Sequence, residues 1–210
     1  MNIEKKDILG KLKNIIITLK NIYSRPEPFD WYQVYPGIKD IISPSLDKND
    51  KILHIGCGNS RISEDLGEEG FENITNIDFC ANVIKQLEER CKQKFPKMEF
   101  IVMNVLDMKE FSTGTFNIVF DKGTLDSVLC GDDSVNDVTK MLSEVYRVLA
   151  PGGKYICVSY GDQAHRKKHF ETQSWSNINV DKVQKPSTNP NNEENDVKNF
   201  HYIYTMTKPK

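Results

Sequence analysis

The chain has 210 residues, with 28 Lys and Arg against 30 Asp and Glu, for a formal net charge of -2. That length suits a single domain with a sheet buried between helical layers, and the near-neutral balance excludes a global basic field that would recruit nucleic acid directly. No apolar run approaches the roughly 18 residues of a membrane span, charged residues interrupt the N-terminus from Glu4 to Asp7, and the five cysteines form no C-x-x-C pair, so a cytoplasmic protein with reduced thiols and no membrane partner is expected.

From Ile8 to Tyr23, apolar residues recur at helical spacing with lysines opposite, which predicts an amphipathic helix. Pro26 and Pro28 break it, an aromatic cluster of Phe29, Trp31, Tyr32 and Tyr35 follows, and a second helix ends near Pro44, giving an N-terminal helical region over 1–48. Five short apolar segments rich in β-branched residues come next, at 52–56, 74–78, 99–104, 116–121 and 154–159. Helical stretches at 61–66, 81–95 and 135–149 separate them. This alternation predicts an α/β fold with a doubly wound, mostly parallel sheet, its core spanning 51–160. Segments 174–180 and 200–206 are expected to add a C-terminal antiparallel edge hairpin across a polar, mobile loop at 181–199.

The first strand stops at Gly56-Cys57-Gly58, and the second stops at Asp78, roughly 20 residues later as in nucleoside-binding folds. A glycine bend with a carboxylate one strand over implies an adenosine-type cofactor. A dinucleotide pyrophosphate favours a third glycine three positions beyond Gly58, where this chain has Arg61. S-adenosylmethionine carries no phosphate and tolerates that side chain, so the missing glycine favours it over a dinucleotide.

In order and spacing, ILHIGCGNS, GFENITNIDF, FDKGTLDSVL and VLAPGGKY resemble the seven-stranded, Rossmann-like S-adenosylmethionine-dependent methyltransferases. More narrowly, FDWYQVY, DKGTLD, and HRKKHF with Trp175 resemble the elongation factor 1-alpha lysine methyltransferases of the methyltransferase-like 13 group. The resemblance implies a protein-lysine methyltransferase acting on elongation factor 1-alpha or a similar translation factor. The same cofactor residues also leave open a small-molecule methyltransferase, or a non-enzymatic cofactor-binding module that recognises a partner.

The resemblance also implies residue roles. Gly56, Cys57 and Gly58 would run beneath the methionine moiety, Asp78 would accept both ribose hydroxyls, and Phe79 would lie against adenine. Asn104 stands where the family has an Asp for the adenine amino group, with Asp107 as the alternative acceptor, and the Val105 amide would meet a ring nitrogen. Lys122 corresponds to a cofactor-contacting lysine, expected to act through its main chain, while Trp31, Tyr32 and Tyr35, with Tyr23 upstream, would belong to a lid over the cofactor. The family pattern has a Trp four residues before that Tyr, where this chain has Leu19. Asp121 is the expected catalytic residue, orienting the amine, with Asp126 the alternative. His165, Arg166 and His169 lack the spacing of a metal site and would instead orient an acidic or backbone group of a protein substrate, and no metal is expected; His54, inside the first strand, reads as a hydrogen-bonded core histidine.

Overall fold

Near-continuous apolar strands must be covered on both faces, and that requirement organises the molecule. A computed structural model describes residues 27–186 and 199–210. The helix expected over Ile8–Tyr23, with Leu19 and Tyr23, and most of the 181–199 loop lie outside the described residues. Helix α1 (Tyr35–Ile42) leads through a 3-10 turn (Ser43–Ser45) into strand β1 (Ile52–Ile55). Then follow α2 (Ile62–Glu68), β2 (Ile74–Asp78), α3 (Ala81–Cys91), β3 (Glu99–Val102), β4 (Phe116–Lys122), α4 (Thr124–Val128), α5 (Ser134–Val148) and β5 (Leu149–Ser159). The described chain ends with α6 (Gln163–Phe170), β6 (Asn177–Gln184) and β7 (Phe200–Thr207).

The seven strands form one sheet in the order β3-β2-β1-β4-β5-β7-β6. Strands β1 to β5 pair in parallel, whereas β7 runs antiparallel to both β5 and β6. The expected seven-stranded, mostly parallel architecture with an antiparallel C-terminal hairpin is therefore present. The chain reverses its direction of winding between β1 and β4, and a crevice opens there beyond the carboxyl ends of the strands.

Side chains alternate between two cores. On one face, α5 presents Val138, Met141, Leu142 and Val145 to Leu53, Ile55, Val119 and Tyr155. On the other, α1, α2 and α3 contribute Ile38, Ile62, Leu66, Ile84 and Leu87, packed with Ile52, Ile118, Phe120 and Ile156. Cys57, Cys91 and Cys157 are buried thiols, Cys80 is half-buried and Cys130 exposed, and all five are free. Among the described residues, no helix is long and apolar enough to cross a membrane.

Three local expectations change. Strand β5 begins at Leu149 rather than 154, because residues 149–153 already extend beside β4, with an irregularity in register between Phe116 and Ile118. Residues 163–170, for which the sequence predicts no element, form α6, with Asp162 capping it by accepting from the His165 amide. Strand β6 runs on to Gln184, so residues 181–184 of the expected loop are paired with β7.

Candidate active site

The crevice holds a cavity of about 610 Å³, within the size range of small-molecule sites. Its floor is the glycine bend after β1. Gly56 and Gly58 both adopt positive φ, +55° and +53°. At Gly56 this freedom serves packing: a Cβ would lie 2.2 Å from the Thr124 hydroxyl oxygen, which donates to the Ile55 carbonyl at 3.0 Å. Gly56, Cys57 and Gly58 all line the cavity.

Asp78, at the tip of β2, is buried but lines the same space. Its Oδ2 accepts from the Gly58 amide at 3.0 Å, and Oδ1 accepts from the Cys80 amide at 2.9 Å. It does not cap α3, whose N-cap is Cys80. Two backbone donors fix the carboxylate and leave it further lone pairs for a ligand. Burial raises its pKa, and the two amides pull it back. Beside it, Phe79 lines the cavity and is 73% exposed, so its ring is open to a ligand there.

Asn104 and Val105, beyond β3, also reach the cavity. The Asn104 Oδ1 accepts from the Leu106 amide at 3.0 Å and its backbone carbonyl from the Asp107 amide, so the residue also holds its own turn. Asp107 does not line the cavity and pairs with Lys109.

A strap formed by residues 27–34 closes one side. Its anchor is Lys122: the buried Nζ donates to the Trp31 carbonyl at 2.8 Å and lies 3.1 Å from Asp30 Oδ1. The Ser60 hydroxyl and Arg61 amide also donate to Asp30, and the Phe29 amide to the Asn59 carbonyl. Burial lowers the Lys122 pKa while Asp30 raises it. Lys122 thus lines the cavity but spends its ammonium on the strap. Trp31 and Tyr32 line the cavity too; Tyr32 has φ +65°, the one positive value among described non-glycine residues. A Cβ on Gly123 would come within 3.1 Å of the Tyr32 ring, so that glycine makes room for the strap.

Two expectations are corrected. Tyr35 does not reach the cavity: it begins α1 and is buried among Ile38 and Ile42. Asp121, the expected catalytic residue, is fully buried and does not line the cavity. Strand alternation turns it to the Val119 face, where it accepts from the Thr124 and Leu125 amides and the Tyr155 hydroxyl. Burial, partly offset by the Tyr155 hydroxyl and those amides, pushes its carboxyl up to about 6.

The alternative, Asp126, does line the cavity. Its Oδ1 accepts from the Ser159 hydroxyl at 2.6 Å and from Arg166 at 2.7 and 3.1 Å, while Oδ2 accepts from the Tyr160 amide at 3.0 Å. Arg166 is therefore a buried partner of Asp126 rather than a group at the mouth, and its guanidinium lies 5.0 Å from the Tyr160 ring centroid. His165 is exposed and bonded to Asp162. Tyr160, which directly follows β5 and lines the cavity, was not anticipated; an aromatic at a strand's carboxyl end is the signal that could have found it. The Asp126 charge and burial together raise the Tyr32 pKa, burial being the larger cause.

Residues 46–205 match the family described as Methyltransferase domain. The chain belongs to this family. The methyltransferase is 42% identical over 153 residues to the Mus musculus "eEF1A lysine and N-terminal methyltransferase", an alignment covering 70% of this chain and 22% of that one. It is 32% identical over 151 residues to the Mus musculus "EEF1A lysine methyltransferase 4", covering 68% and 58%. It thus spans about a fifth of the length of the first relative and somewhat over half of the second. Among solved structures, the N-methyltransferase NodS from Bradyrhizobium japonicum WM9, in complex with S-adenosylhomocysteine, superposes with TM-score 0.62 at 15% identity, covering 92% of this chain and 97% of NodS. These likenesses agree with S-adenosylmethionine as the cofactor expected from the sequence. The [4+2]-cyclase SpnF also superposes, with TM-score 0.69 at 12% identity and 96% coverage of both chains, so the fold alone does not specify the chemistry.

The cavity fits that cofactor. A carboxylate anchored by backbone amides suits a vicinal diol, the neighbouring Phe79, Val105 and Leu106 suit a base, and the positive-φ bend after β1 leaves backbone for an amino-acid tail.

Proposed function

We propose that this methyltransferase binds S-adenosylmethionine in the crevice between β1, β2 and β4 and methylates a lysine amine of a protein, with elongation factor 1-alpha the leading substrate and the cytoplasm the expected location. The observation that carries this reading is the joining of two unlike halves in one cavity: a nucleoside end built on Asp78 and an aromatic end built from Trp31, Tyr32 and Tyr160. The names of the relatives support the lysine and the translation factor.

When bound, the cofactor supplies an electrophilic methyl group on a sulfonium. On this reading, Asp78 holds the ribose, Phe79, Asn104 and Val105 border the adenine, and Gly56, Cys57 and Gly58 run beneath the methionine. An incoming lysine must be neutral to expose its lone pair, whereas in water its pKa is about 10.4. The aromatic end strips water from the ammonium and so disfavours its charged form. Asp121 does not take the proton, since it is fully buried on the central strand β4 and does not line the cavity. Asp126 is balanced by Arg166 and serves to hold Tyr160, through its amide, and the facing Tyr32. Proton loss to water followed by close alignment then carries the reaction, without a dedicated base.

Incubating the protein with radiolabelled S-adenosylmethionine and either purified elongation factor 1-alpha or a cytosolic extract tests this. Label on that factor, lost when its lysines are chemically acetylated beforehand, is expected. Label confined to a small molecule would replace the protein substrate with a metabolite, and binding without transfer would leave a recognition module.

A further inference from the structure

Among the described non-glycine residues only Tyr32 has positive φ, and the strap is pinned on both sides of it. Before it, the Trp31 carbonyl accepts from Lys122 at 2.8 Å. After it, the buried Gln33 side chain donates to the Gln184 carbonyl at 2.7 Å and meets His201 Nδ1 at 3.2 Å. A conformation this costly persists only where its surroundings impose it, and such residues cluster at functional sites. What the pinning places is the Tyr32 ring. It lies beside Gly123 on the cavity wall, its centroid 4.9 Å from that of His201 and 6.2 Å from that of Tyr160.

The hydrogen bonds around this ring set its polarity. The Asp126 carboxylate, paired with Arg166, accepts only, so the Tyr32 hydroxyl gives its proton to that contact. Tyr32 then has only oxygen lone pairs left to offer. Tyr160 is the reverse: its oxygen is bonded to the Arg166 guanidinium, which only donates, so its own O–H remains a donor. Asp126 is itself taken up by the Ser159 hydroxyl, Arg166, the Tyr160 amide and Tyr32.

We infer that the Tyr32 hydroxyl oxygen orients the attacking amine, accepting one of its N–H bonds so that the nitrogen lone pair points at the methyl carbon. This rests on the methyl-transfer reading above. In the transfer the nitrogen lone pair forms the new C–N bond, the C–S bond breaks with its electron pair left on sulfur, and the nitrogen becomes cationic. An acceptor polarised by a carboxylate therefore holds the transition state more tightly than the neutral amine. A donor in the same place would instead occupy the lone pair. Burial and Asp126 keep the Tyr32 phenol protonated, so it takes no proton, and the ammonium product loses its own to water.

The test titrates wild type and Tyr32→Phe by calorimetry with two analogues of S-adenosylhomocysteine in which nitrogen replaces sulfur. One carries a 2-aminoethyl arm, the other an n-propyl arm of the same length. Phenylalanine keeps the ring and removes only the oxygen. The variant should lose about tenfold or more in affinity for the aminoethyl analogue, as for a hydrogen bond to a charged group, and no more than twofold for the propyl one. Equal losses, or none, would overturn the inference and leave the cofactor reading intact. Wild type that binds S-adenosylhomocysteine but neither analogue has no place for an amine beside Tyr32, which refutes the inference alone; wild type that binds none of the three overturns both. Should the variant not fold, the wild-type protein decides, since a propyl analogue bound as tightly as the aminoethyl one would rule the contact out.

Discussion

Asp78 and Asp121 end neighbouring parts of one sheet, both buried, yet only Asp78 faces the cavity. The difference is one of parity along a strand. Asp121 shares the face of Val119 and meets Tyr155, whereas Phe120 and Lys122 turn to the side of His54 and the strap. The consequence for Asp121 is a pH dependence of stability. Its folded pKa, about 6 against an ordinary 3.8, means that the native state holds its proton longer than the unfolded state. Stability contributed by the neutral form is present at low pH and is lost as pH rises from about 4 through 6. Chemical denaturation across that range should show wild type losing stability relative to Asp121→Asn, by an amount on the order of 3 kcal/mol. A difference that stays flat with pH would mean that the carboxylate ionises normally. Arg166 and Asp126 make the complementary case, since each neutralises the other in a buried setting. Arg166→Met should cost about 3 to 5 kcal/mol by stranding the carboxylate, and Arg166→Met with Asp126→Leu should cost less than that single change in urea titrations.

At the scale of elements, the strap and the glycine bend depend on each other through β4. Lys122 ties the strap to the strand, Gly123 makes space for Tyr32, and Thr124 fills the hollow beside Gly56. Cutting the tie should loosen the strap without unfolding the sheet. In Lys122→Met, hydrogen exchange at residues 29–33 should accelerate well beyond any change in β1 or β4; a uniform rise would instead point to global destabilisation. Gly56→Ala should destabilise by at least about 1 to 2 kcal/mol from the left-handed backbone alone, with the clash on Thr124 added, measurable by urea denaturation. These couplings explain what could be read in advance. The strands β1, β2 and β4 were legible because their apolar runs end on chemistry-bearing residues, and the bend was legible from its two glycines. Helix α6 was not: of its eight residues only Arg166 and Phe170 are buried, too few to print a helical period, and the Arg166 partner lies 40 positions away. The resemblance places Tyr35 in the lid with Trp31, but it opens α1, with Pro36 in the first turn, and that helix turns it into the core.

For the molecule as a whole, the sheet's reversal between β1 and β4 gathers distant sequence into one cavity: the strap, the bend, the tip of β2, the turn after β3 and the mouth after β5. Residues up to 131 positions apart thereby share a single ligand volume, from Phe29 to Tyr160. Such a site couples occupancy to global stability, because every wall belongs to an element of the same cooperative fold. S-adenosylhomocysteine at 100 times its dissociation constant should stabilise the folded state by about 2.7 kcal/mol, which for a domain of this size raises the melting temperature by roughly 5 to 10 °C. Asp78→Ala removes the ribose acceptor and its amide anchors together, so its thermal shift at the same ligand concentration should collapse toward zero. The variant's melting temperature without ligand separates the two effects, since a structural loss lowers that baseline whereas lost binding flattens the response to ligand. A full shift retained by Asp78→Ala would place the sugar away from the tip of β2, and the polarity of the whole cavity, nucleoside end against aromatic end, would have to be reversed.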